Sequence, residues 1–247
     1  MRIGYPGIEG VGVWRWPAES EVRVRIVEGE PDLGPEQHKA IEASWSAKQA
    51  ANPRLYDGDI LSVVRMDPGR EILCRRGRYK HLTVEPEIET GIDQLSVTAV
   101  VMGRDDRGDD TVLLGRRGRE TRIYGGMWEL GPSGGVDPPL PLRPSLGETE
   151  LEDCVLREVA EELGGRVAVR PRRTCAVTHD PLARSYDLVM VCVCDEHTHH
   201  PPVDDILDWE YDSVRWVRTQ DLRGFESSNA GGIIGPTRAL FRFFGWV

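Results

Sequence analysis

The stretch Leu156–Gly165, L-R-E-V-A-E-E-L-G-G, constrains this chain more than any other. Residues three and four apart share one face of an α-helix. Glu158, Glu161 and Glu162 therefore fall within roughly a 100° arc. Leu156, Val159, Ala160 and Leu163 lie on the opposite side and can pack on a core. Carboxylates on one stripe repel one another by about 0.2–0.5 kcal/mol per like pair. Arg157 can pair with Glu161 four residues on, but it cannot neutralise the whole stripe. A divalent cation would. Hard oxygen ligands favour Mg²⁺ or Mn²⁺, and Mg²⁺ usually takes its remaining ligands from water and phosphate. Taken alone, the stripe is equally well a solvated face on an acidic protein.

The surroundings separate the two readings. The run resembles the Nudix box, G-x5-E-x7-R-E-U-x-E-E-x-G-U, in which U is a bulky apolar residue. Residues 157–164 match its second half without a departure. Gly134-Gly135 resembles the glycine pair that opens the box, and Gly147-Glu148-Thr149 the G-E-[ST] that begins its helix. Eight residues rather than seven separate Glu148 from Arg157, which shifts Glu148 against the helix, and the final U position is Gly165. Residues 136–147 form a Pro-rich insertion, expected to be a semi-rigid loop beside the site and outside the core. Replacing 137–145 by a Gly-Ser linker should then change KM or substrate choice far more than stability.

A chain of 247 residues is long for one such domain and leaves room for an extension. We place the boundary so that residues 1–92 form an N-terminal α/β extension and residues 93–247 the Nudix domain. The net charge of −10 argues against nucleic acid or an anionic membrane surface as partner. It does not argue against a small phosphate-bearing molecule, because a bound metal inverts the local field. The five cysteines lack paired C-x-x-C spacing and read as small buried thiols of a reducing compartment. With no apolar run of spanning length and a polar start, a soluble cytoplasmic protein is expected.

In the extension, Val22, Val24 and Ile26 alternate with arginines as a half-buried strand does. Pro35 opens a helix through Ala51 that Asn52-Pro53 ends, with Ile41 and Trp45 as its anchors. Strands are expected over Ile60–Arg65 and Glu71–Arg75. The cations Arg70, Arg75, Arg76, Arg78 and Lys80 read as a solvated face. Trp45, Leu55 and Tyr56 should be buried, and the region is too small to hold a core alone, so it should pack on the rest. Beyond it, Leu95, Val97, Ala99 and Val101 alternate, 112–114 and 188–194 read as strands, and Arg215-Trp216-Val217 as the last one. Thr237–Phe244 reads as an amphipathic terminal helix. The histidines at 197, 199 and 200 read as exposed loop residues, not ligands.

The resemblance extends beyond the box. Ile41–Asp57 and Leu61–Arg65, with Tyr79, Leu114–Arg117 and the small-residue segment Ser227–Gly232, resemble the UDP-glucose pyrophosphatases of animals and plants. These resemblances imply an α+β Nudix fold, a mixed sheet sandwiched between helices with the extension packed on it. They imply Mg²⁺, or Mn²⁺ in its place, held by Glu158 and Glu162, with Glu161 a ligand or base and the Gly134 carbonyl completing the set. Arg157 would orient Glu158. Arg116, Arg117, Glu210, Ser227 and Asn229 would meet the substrate, Glu210 also standing as an extra ligand or base. The implied activity is hydrolysis of a nucleoside diphosphate-linked compound, UDP-glucose or UDP-galactose favoured, to UMP and a sugar 1-phosphate. An ADP-ribose or other nucleotide pyrophosphatase is the alternative enzyme, and a non-catalytic nucleotide-sugar sensor the alternative class. Oligomeric state stays open.

Overall fold

Alternating apolar and polar side chains favour strands, and in the computed structural model thirteen strands among the described residues join one mixed sheet. The structure describes residues 2–5, 8, 10–141, 143–165, 167–194 and 210–247, so the histidine tract at 197–200 lies outside the described residues. In chain order the strands are β1 (Arg2–Ile3), β2 (Gly12–Arg15), β3 (Val24–Val27), β4 (Asp59–Asp67), β5 (Glu71–Arg78), β6 (Gln94–Arg104) and β7 (Asp110–Arg117). They continue as β8 (Trp128–Leu130), β9 (Ser133–Gly135), β10 (Ser145–Leu146), β11 (Val169–Asp180), β12 (Ser185–Cys194) and β13 (Tyr211–Arg218). The helices are α1 (Pro35–Ala51), α2 (Tyr79–Thr83), α3 (Glu148–Glu162), α4 (Leu222–Ser228) and α5 (Gly235–Phe243).

The main path of the sheet runs β1-β2-β11-β12-β6-β4-β5-β3-β10, with β7, β8, β9 and β13 branching from β6. The pairs β12·β6 and β3·β5 are parallel and the others antiparallel. Strands of the N-terminal region thus lie at both ends of the path. Across the 92/93 boundary, Val63 N–H donates to the Asp93 carbonyl at 2.7 Å, and Asp93 N–H to Ser62 Oγ at 3.2 Å.

Period-two alternation gives the sheet two different faces. Leu95, Val97, Ala99 and Val101 of β6 turn to one side, where Leu151, Val155 and Val159 of α3 cover them. Val100 turns to the other, toward Ala239, Leu240 and Phe241 of α5. Burial of one leucine-sized side chain is worth about 1.5–3 kcal/mol, so the two layers fix which faces α3 and α5 present. α3 begins where Gly147 N–H donates to Glu150 Oε2 at 3.0 Å, and it ends at Gly164 and Gly165, whose φ of +63° and +64° no longer continue a helix.

Two expectations need correction. Ile41 and Trp45 anchor α1, but Tyr56 is 79% exposed instead of buried. The insertion is not a peripheral loop. Its β10 pairs with β3 (Ser145↔Arg25, Leu146↔Val24), Ile26 N–H donates to the Pro144 carbonyl at 2.8 Å, and Val136 and Leu146 are buried in the α3 layer. Its apolar ends belong to the core, so the segment clasps the N-terminal strands to the sheet. Three of the basic cluster are paired to acidic neighbours: Arg76 and Arg78 to Asp59, Arg78 and Lys80 to Asp57. Cys74, Cys192 and Cys194 are buried, and Cys154 and Cys175 half-buried, all as free thiols.

Candidate active site

The carboxylate stripe of α3 divides by burial. Glu161 is exposed, Glu158 is half-buried and Glu162 is buried at 4% exposure. Arg157 does not reach Glu161. Its Nη2 donates to Glu158 Oε1 at 2.9 Å and to the Gly135 carbonyl at 3.2 Å, and its Nη1 to Asp137 Oδ2 at 2.8 Å. These charge-assisted bonds lock Glu158 against β9. A side chain at Gly134 would overlap the Glu158 carboxylate, so only glycine lets the strand and the acid meet. Burial raises the Glu158 carboxyl above the usual range although the Arg157 guanidinium opposes it.

Glu162 sits in a denser acidic setting. Burial is the main cause that lifts its carboxyl well above the usual range, and repulsion from Glu210 and Glu129 adds to it. Tyr211, fully buried, hydrogen-bonds Glu162 and donates to Glu129 Oε1 at 3.1 Å. A phenol has one proton and can serve only one of these acids at a time. Glu129 is held from the other side by Arg117, whose Nη1 donates to Glu129 Oε1 at 2.7 Å. The Tyr211 ring fits because Gly115 and Gly131 have no side chain to block it.

This acidic centre opens into a cavity of about 970 Å³. Glu129, Gly134, Gly135, Glu210 and Arg117 line one end. The extension supplies a wall from Lys48 to Tyr56, and Arg54 meets Glu120 across the mouth at 3.4 Å. The floor is the polar face of β6, β11 and β12. There Asp187 accepts the Ser185 hydroxyl at 2.9 Å, and burial raises its carboxyl to about 7, with Asp180 and Glu129 adding repulsion. Asp187 is half-buried and lines the cavity, with protein surrounding it at longer range. A raised folded-state value means the folded protein holds this proton more tightly than the unfolded chain. The cost is absent below about pH 4 and grows as pH rises through about 7. Asp187→Asn should therefore match the wild type in thermal unfolding near pH 4 and exceed it by about 3 °C near pH 8. Equal unfolding temperatures at both pH values would show that the cavity's water already solvates this acid.

As donors the residues suit a hard divalent cation: the site is rich in carboxylate oxygens, and Glu162 is repelled by the carboxylates of Glu210 and Glu129. Among the described residues, however, no three His, Cys, Asp or Glu side chains converge closely enough to hold an ion in this conformation. The donor set fits in chemistry and is not closed in geometry. Of the other sequence candidates, Glu210 and Arg117 line the cavity, whereas Arg116, Ser227 and Asn229 do not. Alternation on β7 turns Arg116 away, where its Nε donates to the Gly126 carbonyl at 3.0 Å. Ser227 Oγ and Asn229 Nδ2 donate to the Arg223 and Phe225 carbonyls and finish α4. Glu129, Tyr211 and Asp187 escaped the sequence reading. Their only local signal is a polar residue inside an apolar strand, W-E-L and Y-D-L, or just ahead of one.

Glu148 has a different task. Buried at 9% exposure, it accepts Val22 N–H at 2.9 Å, Thr174 N–H at 2.6 Å and the Thr174 hydroxyl at 2.8 Å. It ties α3 to the extension and to β11, away from the acidic centre.

Among solved structures the chain is similar to the MutT protein from Methanosarcina mazei Go1, with 24% identity and a TM-score of 0.42 over 61% of this chain and 91% of that one. It is also similar to a Nudix hydrolase from Alicyclobacillus acidocaldarius, with 19% identity and a TM-score of 0.42 over 60% and 89%. No curated protein matches the chain. Among the described residues, no helix is long and apolar enough to cross a membrane. Residues 93–233, more than half of the sequence, match the NUDIX domain. The helix that carries Arg157, Glu158, Glu161 and Glu162 lies inside that span, and the chain belongs to the NUDIX family.

Proposed function

We propose that this Nudix-type pyrophosphohydrolase cleaves the diphosphate of a nucleoside diphosphate-linked compound, with UDP-glucose or UDP-galactose favoured, giving UMP and a sugar 1-phosphate. The observation that carries the reading is one cavity lined by Glu129, Glu210 and Gly134, the glycine that packs on the Glu158 carboxylate, and walled by residues of the 48–56 segment of the extension. Residues 1–92 thus act as part of the substrate pocket of residues 93–247. Glu158 and Glu162 would hold Mg²⁺ or Mn²⁺, with Glu161 and the Gly134 carbonyl available to complete the set. A bound divalent cation neutralises charge on the phosphoryl oxygens and acidifies a water. Arg157 keeps Glu158 in place. Glu210, lining the same end, accepts the proton of the attacking water. Arg117 is committed to Glu129, so it is not a free phosphate clamp. The free thiols agree with a reducing, cytoplasmic setting.

Chromatographic product analysis with UDP-glucose, ADP-ribose and GDP-mannose side by side, with Mg²⁺, tests this. UDP-glucose should be turned over fastest, to UMP and glucose 1-phosphate. A tenfold preference for ADP-ribose, about 1.4 kcal/mol of transition-state discrimination, removes the UDP-sugar assignment and keeps the hydrolase. No turnover of any of the three favours a sensor.

A further inference from the structure

The cavity floor carries polar groups that the protein leaves unused. Gln94, Ser96 and Thr98 alternate with the core residues of β6 and so share the face opposite α3. Ser96 and Thr98 are only 6% and 7% exposed. Both line the cavity, and neither hydroxyl, nor the Gln94 amide, has a hydrogen-bond partner among the described residues. The two hydroxyls open onto the cavity, so what they bond comes from the cavity.

The row continues across the sheet. Asp187 is the register partner of Ser96 on parallel β12, Thr178 that of Asp187 on β11, and Gly135 that of Ser96 on β9. Asp187 Oδ2 accepts Ser185 Oγ at 2.9 Å and, more weakly, Thr178 Oγ1 at 3.5 Å, while Oδ1 has no partner among the described residues. Gly135 and Asp187 are two strand spacings apart, roughly 10 Å, which leaves room for one sugar ring between the acidic end and the carboxylate. A nucleobase needs a flat apolar or aromatic face to stack on, and these floor positions offer only hydroxyl, amide and carboxyl groups. The lining aromatics Tyr56, Tyr79 and Tyr124 come from outside the floor strands.

We propose that Gln94, Ser96, Thr98 and Asp187 form the subsite for a vicinal diol of a sugar ring, belonging either to the ribose of the nucleotide or to the sugar linked to it. This rests on the reading of the chain as a hydrolase of nucleoside diphosphate-linked compounds. Adjacent sugar hydroxyls both donate and accept, so they can satisfy a carboxylate oxygen and the hydroxyl row together.

Calorimetric titration without metal, so that nothing turns over, tests it on the wild type and on Ser96→Ala/Thr98→Val. The ligands are UDP-glucose, its 3-deoxyglucose analogue and its 2′-deoxyuridine analogue. ADP-ribose, with its analogue lacking the 2-hydroxyl of the terminal ribose, covers a pocket that prefers adenine. The double variant should bind the hydroxylated parent about tenfold more weakly, or about 1.4 kcal/mol. One analogue should bind the wild type about tenfold more weakly and lose nothing further in the variant, and which analogue does so identifies the ring. The variant's unfolding temperature should stay within about 2 °C of the wild type, because the deleted hydroxyls bond no protein group. Equal weakening of parent and analogues by the variant overturns the subsite, as does wild-type binding that ignores the missing hydroxyl or fails for both parents. Turnover with Mg²⁺ scores the hydrolase reading separately. Diol-selective binding without turnover would remove that reading and leave the subsite standing.

Discussion

Glu162→Gln should lower kcat by roughly a thousandfold or more, about 4 kcal/mol of transition-state stabilisation, and leave the fold intact. The substitution keeps the volume of a side chain that is 4% exposed, and the Tyr211 hydroxyl can still donate to the amide oxygen. What it removes is a negative ligand at the point where Glu162, Glu129 and Glu210 crowd together. Steady-state kinetics over a Mg²⁺ titration, with circular dichroism on the same sample, checks both halves. Full turnover at saturating Mg²⁺ would remove Glu162 from the chemistry. Glu158→Gln should act similarly, since Arg157 and Gly134 hold that carboxylate in a single place.

Glu148→Ala should show the reverse pattern. Its carboxylate receives Val22 N–H, Thr174 N–H and the Thr174 hydroxyl, so truncation strands buried donors on two separate chain segments. Each unsatisfied group costs about 1–3 kcal/mol. Some water will enter, so a net loss of roughly 3–5 kcal/mol is expected, a fall in unfolding temperature of about 10 °C. At a temperature where the variant is still folded, kcat/KM should remain within about tenfold of the wild type. Differential scanning calorimetry paired with kinetics at low temperature separates the effects. A thousandfold loss of kcat with unchanged stability would move Glu148 into the active centre.

These contrasting roles illustrate what a sequence exposes. The length of α3, the α1 span and the β6 alternation are local patterns, and the structure carries them with end shifts of a few residues. The apolar side of α3 differs from the expected one, since Leu156 and Ala160 are exposed and Glu162 is buried. Pairing is not local. Nothing in residues 12–15 announces that they lie beside Ala176–His179, or that Ser145 and Leu146 run against Arg25 and Val24. The insertion was therefore legible as Pro-rich but not as a clasp. The site divides in the same way. Glu158 and Glu162 stand in a periodic run, whereas Glu129, Tyr211 and Asp187 come from separate strands and matter only because the sheet brings them to one cavity. Ser227 and Asn229 look like a substrate loop because small polar residues serve equally to finish a helix.

The sheet's wiring also sets a schedule for synthesis. Strand β2 waits for β11, about 160 residues downstream, and Val22 waits for a carboxylate 126 positions later. At a ribosomal rate of about 5–20 residues per second, those partners emerge on the order of ten seconds after the segments that need them. During that interval β2 has an edge and apolar side chains but no β11 to join, whereas β3 can already pair with β5. Nascent chains of this protein should engage holding chaperones through their first thirty or so residues and release them only after β12 has been made.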